Sequence, residues 1–224
     1  MSPLNVFIGF DERETVAYHV LCQSLIEQSS IPLAITPLRS KTLPAFQRQT
    51  SKSQATDFSF TRFLVPYLCG YRGVAVFLDC DMLVRSDPAD ILTHLTTQPD
   101  ASVLVCPHEY TPKDSIKFLG NEQKAYPRKN WTSVMVFRND RCRQLTPDYV
   151  NTASAADLHR LAWVAPQHLG FLPLTWNWLV GEYAANPTAH LYHWTVGGPY
   201  FPEYAHTDHA DEWLSVKDRM LRAG

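Results

Sequence analysis

Val74-Ala75-Val76-Phe77-Leu78-Asp79-Cys80-Asp81 is an unbroken apolar run that ends on a pair of carboxylates. Apolar runs of this length predict a strand buried in a sheet. Positions i and i+2 of an extended chain face the same side, so Asp79 and Asp81 are expected to converge just beyond the strand. Because converging carboxylates repel each other unless a cation lies between them, the stretch predicts a site for Mg²⁺ or Mn²⁺.

This acidic pair is open to three interpretations. A metal held there would neutralise charge on a departing nucleoside diphosphate, which is what transfer at a diphosphate requires. Phosphatases of the haloacid-dehalogenase type also place D-x-D after an apolar strand, with Asp79 then acting as nucleophile and Asp81 as acid and base. That motif usually opens the first strand of its domain and continues to Thr, whereas here Leu83 stands at that position and another predicted strand comes first. The third interpretation is a solvated turn without function.

The residues before the pair set the fold class. Val6 to Phe10 predicts a buried strand, and Asp11 and Glu14 have the spacing of a capping box. Apolar residues at helical intervals then predict a helix to about Gln28, and residues 33–38 predict a second strand. Alternating strands and helices predict an α/β domain whose mostly parallel sheet carries helices on both faces. Ligands of such sheets bind beyond the carboxyl ends of strands, where the acidic pair is expected.

Elements on either side of this core are predicted from periodicity and turn residues. Helices are expected at 60–68, where Pro66 should kink or shorten the helix, and at 89–95, 157–163 and a C-terminal stretch around 213–221. Strands are expected at 102–106, 133–137 and 191–194, with a tight aromatic segment at 171–178. Residues 108–130 carry several cations without periodicity and are interpreted as a long loop, either solvated or able to close as a lid: Lys113, Lys117, Lys124, Arg128 and Lys129.

Composition narrows the function classes. The chain has 224 residues and a net charge of −2, which fits one domain spanning 1–224 and excludes a global basic field for nucleic acid. The N-terminal residues lack a signal peptide, and no apolar run is long enough to span a membrane, so a cytoplasmic protein is expected whose acceptor could still lie at a membrane surface. The cysteines are odd in number and widely spread, which predicts buried free thiols: Cys22, Cys69, Cys80, Cys106 and Cys142.

Several stretches resemble glycosyltransferase family 8 and related GT-A enzymes. Residues 57–68 and 71–84 resemble that family's helix bearing an arginine and the strand bearing its D-x-D, and residues 6–11 resemble its nucleotide-binding strand and loop. Leu191-Tyr192-His193-Trp194 with Gly197-Gly198-Pro199 resembles its C-terminal histidine motif. The resemblance implies a Rossmann-like GT-A fold and transfer of a sugar from a nucleotide-diphosphate sugar, with a UDP-sugar expected, to a hydroxyl acceptor such as a carbohydrate.

The resemblance also implies roles for individual residues. Asp79, Asp81 and His193 would hold Mn²⁺ or Mg²⁺, and Arg62 would reach the diphosphate or the donor sugar. On the first loop, three residues would contact the donor's base, ribose and phosphate: Phe10, Asp11 and Arg13.

Two departures from the family pattern bear on the site. The lysine that usually follows the histidine motif is absent, so backbone N–H groups of Gly197 and Gly198, or a basic residue of the 108–130 loop, are expected to cradle phosphate instead. The family's D-Q-D segment has no clear copy. Its nearest counterpart is Asp157-Leu158-His159-Arg160, which makes His159 a candidate catalytic residue.

Stereochemistry and acceptor binding stay open at this level. Family 8 enzymes retain anomeric configuration, in which case the leaving diphosphate could take the acceptor proton. An inverting enzyme needs a carboxylate base, for which the candidates are Asp208 and Asp211, with Glu182 and Glu203 as further ones, although acids of this kind also occur as ordinary surface groups. A sugar platform is a hypothesis for four residues, Trp131, Trp176, Asn177 and Trp178, with core packing as the alternative for each Trp. Asn177 is less easily explained as core, since a buried amide needs hydrogen-bond partners. A carbohydrate-binding module without catalysis would use such rings without a metal.

Overall fold

A computed structural model describes residues 2–48, 56, 58–113, 116–117, 120–122 and 127–222 of the chain. The strands are β1 (Leu4–Gly9), β2 (Leu33–Leu38), β3 (Val74–Leu78), β4 (Met82–Val84), β5 (Val103–Val105), β6 (Ile116–Lys117), β7 (Asn121–Glu122), β8 (Val134–Arg138), β9 (Leu169–Phe171), β10 (Trp178–Leu179) and β11 (Leu191–His193). The α-helices are α1 (Thr15–Gln28), α2 (Val65–Leu68), α3 (Thr93–Thr97), α4 (Pro147–Thr152), α5 (Ala155–His159) and α6 (Ala210–Leu221).

The central sheet has the strand order β2-β1-β3-β8-β5-β9. The pairs β1–β2, β1–β3 and β5–β9 are parallel, which confirms the predicted mixed α/β fold with a mostly parallel sheet. β8 runs antiparallel to both β3 and β5. Since reversing direction twice restores it, β3 and β5 point the same way, and the residues that follow them reach the same edge of the sheet.

The sheet is buried because its inner strands are apolar on both faces. In β3, the side chains from Ala75 to Leu78 are buried, and β5 and β8 are buried throughout apart from Arg138. Strands of this kind need cover on each side, which accounts for their continuous rather than alternating apolar pattern. Gly9 closes β1 where the ring of Phe58 approaches so closely that a Cβ atom would lie 2.2 Å from it.

A second, smaller sheet brings the C-terminal motif against the acidic pair. It has the order β10-β11-β4, and β11 pairs antiparallel with β4 so that His193 lies opposite Met82. The amide of Trp194 also donates to the carbonyl of Asp81 over 3.0 Å. This pairing joins residues more than a hundred positions apart, and it places His193 beside Asp81.

Most predicted elements are present, with shifted ends. The expected helix at 60–68 is a 3₁₀ turn followed by the single turn α2, because Pro66 can occupy only the start of a helix. The helix expected at 157–163 starts earlier and ends at His159, and Leu161 beyond it has a left-handed φ of 60°. In the 108–130 loop the structure places the short hairpin β6–β7, whereas Lys124 lies outside the described residues.

Helix α1 packs on β4 and on α6, where Trp213 and Val216 form the buried stripe. The five cysteines are free thiols, as predicted, with Cys80, Cys106 and Cys142 buried and the other two partly buried. Within the described part of the chain, every helix falls short of the length and apolarity needed to cross a bilayer.

Candidate functional site

Three side chains that could together hold a metal ion meet where β3, β4 and β11 come together. Asp79 leaves the end of β3, Asp81 precedes β4, and His193 ends β11. One potential ligand atom from each lies within 4.8 Å of the others. The Nε2 atom of His193 is 3.1 Å from Oδ1 of Asp81 and 4.0 Å from Oδ2 of Asp79. The structure thus brings together the three residues that the resemblance implied.

The orientation of His193 is fixed by Asn177. The Nδ1 atom of His193 is 2.7 Å from Oδ1 of Asn177, while Nδ2 of Asn177 donates to the carbonyl of Asn130 over 3.1 Å. A carbonyl can only accept, so the amide nitrogen of Asn177 must face Asn130 and its oxygen must face His193. In the neutral imidazole Nδ1 therefore carries the proton and Nε2, the atom facing the carboxylates, presents a lone pair, as a metal ligand requires.

The opposite side of the site is closed by Arg62. This buried side chain forms an ion pair with Asp79 at 3.0 Å, and its other terminal nitrogen donates to the carbonyl of Thr132 over 2.8 Å. The guanidinium lies over the rings of Phe77 and Phe58, at 4.8 Å and 5.5 Å from their centroids. Both forked nitrogens are engaged inside the protein, so Arg62 positions Asp79. Contact of Arg62 with a diphosphate or donor sugar stays a prediction.

Burial and mutual repulsion disfavour negative charge on the two carboxylates, a cost that a bound cation would relieve. Burial raises the pKa of Asp79, the nearby charge of Asp81 acts in the same direction, and Arg62 opposes both. Oδ1 of Asp79 faces Arg62 in the ion pair, and Oδ1 of Asp81 is buried and accepts no hydrogen bond from any described residue. Two buried carboxylate oxygens and an imidazole nitrogen form a donor set that suits Mn²⁺ or Mg²⁺, so the residues present fit a divalent ion.

Glu14 is a buried acid near the site that the sequence did not reveal. Asp11 is the cap that the predicted capping box requires, and its carboxylate accepts from the backbone N–H of Arg13. Glu14 accepts a 2.6 Å hydrogen bond from the Tyr200 hydroxyl. Burial, together with the charge of Asp81, raises the pKa of Glu14 to about 8. A glutamate at the third position of a capping box gives no signal of such burial.

The predicted donor-binding residues line the edge beside β1 and β2. Phe10, half-buried against Tyr18, borders a cavity of about 430 Å³ whose other walls are Glu12, Pro37, Arg39 and Thr42. This volume lies within the range of small-molecule sites. Beside it, Asp11 is buried and holds the partly exposed Arg13 through side-chain hydrogen bonds of 2.8 Å and 2.5 Å. The nucleotide contacts predicted for these residues stay predictions.

The glycine pair after β11 has a packing role. A Cβ atom at Gly197 would lie 2.3 Å from the ring of Tyr204, and one at Gly198 would lie 2.3 Å from the ring of Tyr200. The close approach of these rings is sufficient to require glycine at both positions. Phosphate cradling by their backbone, inferred from sequence, stays a prediction.

The candidate catalytic residues differ in burial. His159 packs against Phe60 and Phe63 and bonds the Thr132 hydroxyl at 3.0 Å. Burial and the charges of Arg62 and Arg48 lower the pKa of His159 to about 3, so it is neutral at physiological pH. The carboxylates of Asp208 and Asp211 are exposed next to and on the first turn of α6. Exposed Glu203 lies in a 3₁₀ turn, whereas buried Glu182 accepts from the amide of Lys113. A catalytic role for these residues stays a prediction.

The aromatic residues divide between core and site. Trp176 is buried and stacks on His190 at 4.8 Å, so core packing describes it. Asn177 is buried and orients His193, which corrects the expectation that it contacts a sugar. Trp131 is half-buried and donates its indole N–H to the carbonyl of His108, and Trp178 remains partly exposed.

Loss of the Asn177 side chain should weaken the proposed metal site without changing its ligands. In Asn177→Ala we expect the affinity for Mn²⁺ to fall about 10- to 100-fold, because His193 loses the bond that fixes its tautomer and ring. Isothermal titration calorimetry measures the change. Asn186→Ala is the matched control, since that amide serves only a turn with Thr188 among the described residues. Equal affinity in both variants would contradict the role given to Asn177.

The chain is similar to a plant protein over nearly its whole length. Protein CDI of Arabidopsis thaliana is 39% identical over 226 residues, which cover 96% of this chain and 86% of that protein. No protein-family model matches the chain.

Among solved structures, the galactosyltransferase LgtC in complex with donor and acceptor sugar analogs superposes with a TM-score of 0.62 at 9% identity, covering 99% of this chain and 98% of that one. The apo-form glycosyltransferase GlyE of Streptococcus pneumoniae has a TM-score of 0.61 at 12% identity and covers 100% of this chain. The bifunctional glycosyltransferase WbbM has a TM-score of 0.61 at 16% identity and covers 96%. The chain spans 61% of GlyE and half of WbbM. These similarities establish the GT-A fold that the sequence predicted.

Proposed function

The chain belongs to the family of Arabidopsis thaliana Protein CDI, and we propose that it is a metal-dependent glycosyltransferase using a nucleotide-diphosphate sugar. The observation that carries the proposal is the convergence of Asp79, Asp81 and the Nε2 atom of His193 at the strand ends of a GT-A fold. The likeness to LgtC, whose structure holds donor and acceptor sugar analogs, supports the same assignment. Membership of glycosyltransferase family 8 and a single domain over 1–224 are parts of this proposal.

Asp79, Asp81 and His193 would hold Mn²⁺ or Mg²⁺. When bound, the ion supplies positive charge against the diphosphate of the donor and so stabilises its departure as a nucleoside diphosphate. The chain prepares for this by burying the carboxylate oxygens, by fixing Asp79 against Arg62 and by aiming Nε2 of His193 at the same point. Positioning of this kind lowers the reorganisation needed when the ligand arrives.

We propose that the donor nucleotide lies along the adjoining edge, with its base or ribose in the cavity bordered by Phe10. That cavity is close to the ends of β1 and β2, which neighbour β3 and its acidic pair in the sheet. Asp11 and Arg13 lie on the loop between this cavity and α1, where they would contact ribose and phosphate. A UDP-sugar is the donor that we propose, with a carbohydrate hydroxyl as acceptor.

The observations favour a transferase over the two rival functions. In a phosphatase of the haloacid-dehalogenase type Asp79 would be a nucleophile, but here its carboxylate is buried, paired with Arg62 and grouped with a histidine. A sugar-binding module without catalysis gives no reason for the buried acidic pair. All the solved structures named above are glycosyltransferases.

A thermal-shift titration tests the proposal. UDP with Mn²⁺ should raise the unfolding midpoint of the wild-type chain more than either compound alone, because the ion bridges protein and diphosphate. GDP and ADP with Mn²⁺ serve as comparisons for the base. If no nucleoside diphosphate shifts the midpoint in the presence of Mn²⁺ or Mg²⁺, the proposed function is wrong. NMR of the product formed from a UDP-sugar would then establish retention or inversion.

A further inference from the structure

Beside the metal-ligand group lies a partly exposed cluster of rings, formed by Tyr110, Trp178 and Tyr183 around buried His108, which we call the aromatic cluster. We propose that the aromatic cluster is the acceptor subsite and that it binds the pyranose ring of a carbohydrate acceptor. The inference rests on the proposed glycosyltransferase function and adds to it where the acceptor binds and what chemical class it has.

The rings are close enough to form one surface. Tyr183 lies 5.1 Å from Trp178, 5.9 Å from Tyr110 and 5.8 Å from His108 between ring centroids. Tyr110, Trp178 and Tyr183 are each partly exposed, whereas His108 is buried. The indole N–H of Trp178 donates to the carbonyl of Ala184 over 3.0 Å, so this ring offers its apolar face. A partly exposed surface of apolar ring faces edged by phenol hydroxyls is unusual for a core and typical of a binding site.

His108 gives the cluster an unused polar group. Its Nδ1 atom is 2.8 Å from the Tyr183 hydroxyl, but its buried Nε2 atom has no hydrogen-bond partner among the described residues. Buried polar atoms in native proteins are nearly always paired, so an unpaired one points to a missing partner. Burial lowers the pKa of His108 to about 3, and the neutral ring can bond a hydroxyl without adding charge.

A chain of hydrogen bonds through two asparagines connects the aromatic cluster to the metal-ligand group. The Tyr110 hydroxyl accepts from the side chain of Asn130 over 2.7 Å, and the carbonyl of Asn130 accepts from Asn177, the residue that orients His193. Trp178 begins β10, which pairs with β11 so that Trp178 lies opposite Tyr192 and Leu179 opposite His193.

Tyr183 is positioned by a backbone hydrogen bond to β10, the strand that Trp178 begins. The amide of Tyr183 donates to the carbonyl of Leu179 over 3.0 Å, one residue beyond Trp178. His108 follows β5, whose end lies on the same edge of the sheet as the end of β3, where Asp79 is found. An acceptor on these rings would therefore lie next to the donor's reacting end.

The chemistry of the aromatic cluster selects a pyranoside. The C–H face of a sugar ring packs on aromatic faces, and its hydroxyls need neutral donors and acceptors such as phenols and imidazole. Lys113, the nearest cation along the loop, is engaged by its amide with Glu182 and by its ammonium group with the carbonyl of Gly181. Because Lys113 already makes these two contacts within the protein, the rings of the aromatic cluster form the surface that would contact the sugar.

Saturation-transfer NMR tests the subsite with simple probes. The probes are methyl β-D-glucopyranoside, methyl β-D-galactopyranoside and methyl β-D-xylopyranoside, each added to the full chain with UDP and Mg²⁺. We expect at least one probe to receive saturation at its ring C–H protons. In Tyr183→Ala and Trp178→Ala the dissociation constant of that probe should rise about tenfold. Tyr183→Phe keeps the ring and should change it by less than about threefold.

Each outcome has a defined meaning. The signals of UDP in the same sample report donor binding, so their persistence in every variant shows that the protein is folded and that the donor site is intact. Saturated UDP with no probe signal in the wild-type chain would overturn the acceptor subsite and leave the proposed function standing. Equal probe binding in wild type and both alanine variants would overturn it as well. Loss of UDP binding in the wild-type chain would instead refute the transferase, and this inference with it.

Discussion

Asp81→Asn is expected to lower the rate of sugar transfer at least about 100-fold, the scale on which losing one charge-stabilising group acts. The Oδ1 atom of Asp81 is buried, 3.1 Å from Nε2 of His193, and accepts no hydrogen bond from the described residues. Asparagine has the same shape but no charge, and its amide nitrogen could bond Nε2 of His193 and so block the lone pair. The metal-dependent part of UDP binding should be lost with the rate.

The unfolding midpoint shows whether the lower transfer rate of Asp81→Asn comes from loss of the metal site or from misfolding. Asp79 and Asp81 repel each other in the protein without metal, so we expect the unfolding midpoint of metal-free Asp81→Asn to equal or exceed that of the wild type. Asp90→Asn, on an exposed 3₁₀ turn, is the matched control and should leave rate and midpoint unchanged. Release of nucleoside diphosphate from a UDP-sugar, followed across Mn²⁺ concentrations, measures the rate. A rate within about tenfold of wild type at saturating Mn²⁺ would contradict the metal-ligand role.

Arg62→Met is expected to lower the free energy of unfolding by about 3 kcal/mol in the absence of metal, because removing one partner of a buried pair leaves an uncompensated charge. Arg62 is buried, forms the 3.0 Å ion pair with Asp79 and donates to the carbonyl of Thr132. Methionine retains the length of the side chain, so packing against Phe77 and Phe58 is largely kept. Urea unfolding measures the change.

A double-mutant cycle identifies the cause of the loss. In Arg62→Met combined with Asp79→Asn no charge is left unpaired, so the double variant should lose less stability than the sum of the two single variants. Arg72→Met, on an exposed arginine nearby in the chain, should change stability by less than about 0.5 kcal/mol. If Arg62→Met costs no more than this control, the guanidinium does not stabilise Asp79.

The local pattern of the sequence determined the strand, the acidic pair and much of the fold class. A short run of β-branched and aromatic residues ending on Asp79 is typical of an inner strand, and i, i+2 spacing directs both carboxylates to one side. The first helix and the strands before the pair were likewise predicted closely, since their periodicities are local properties. Within the site, the grouping of Asp79, Asp81 and His193 was implied by family resemblance, which carries tertiary information that spacing alone lacks.

Tertiary structure alone decided how that site is supported. Asn177 orients His193 and Arg62 holds Asp79 through contacts spanning 16 and 17 residues of chain, and Tyr200 reaches Glu14 across 186. No local pattern distinguishes an amide that fixes a tautomer from one that contacts a sugar, nor a capping glutamate from a buried one. Burial and direction depend on which strands pair, and the antiparallel pairing of β11 with β4 arises from long-range contacts. The local sequence thus predicts that Asp79 and Asp81 point to one side of the strand end. Which side chains surround them, Arg62 and His193 among them, depends on the tertiary fold.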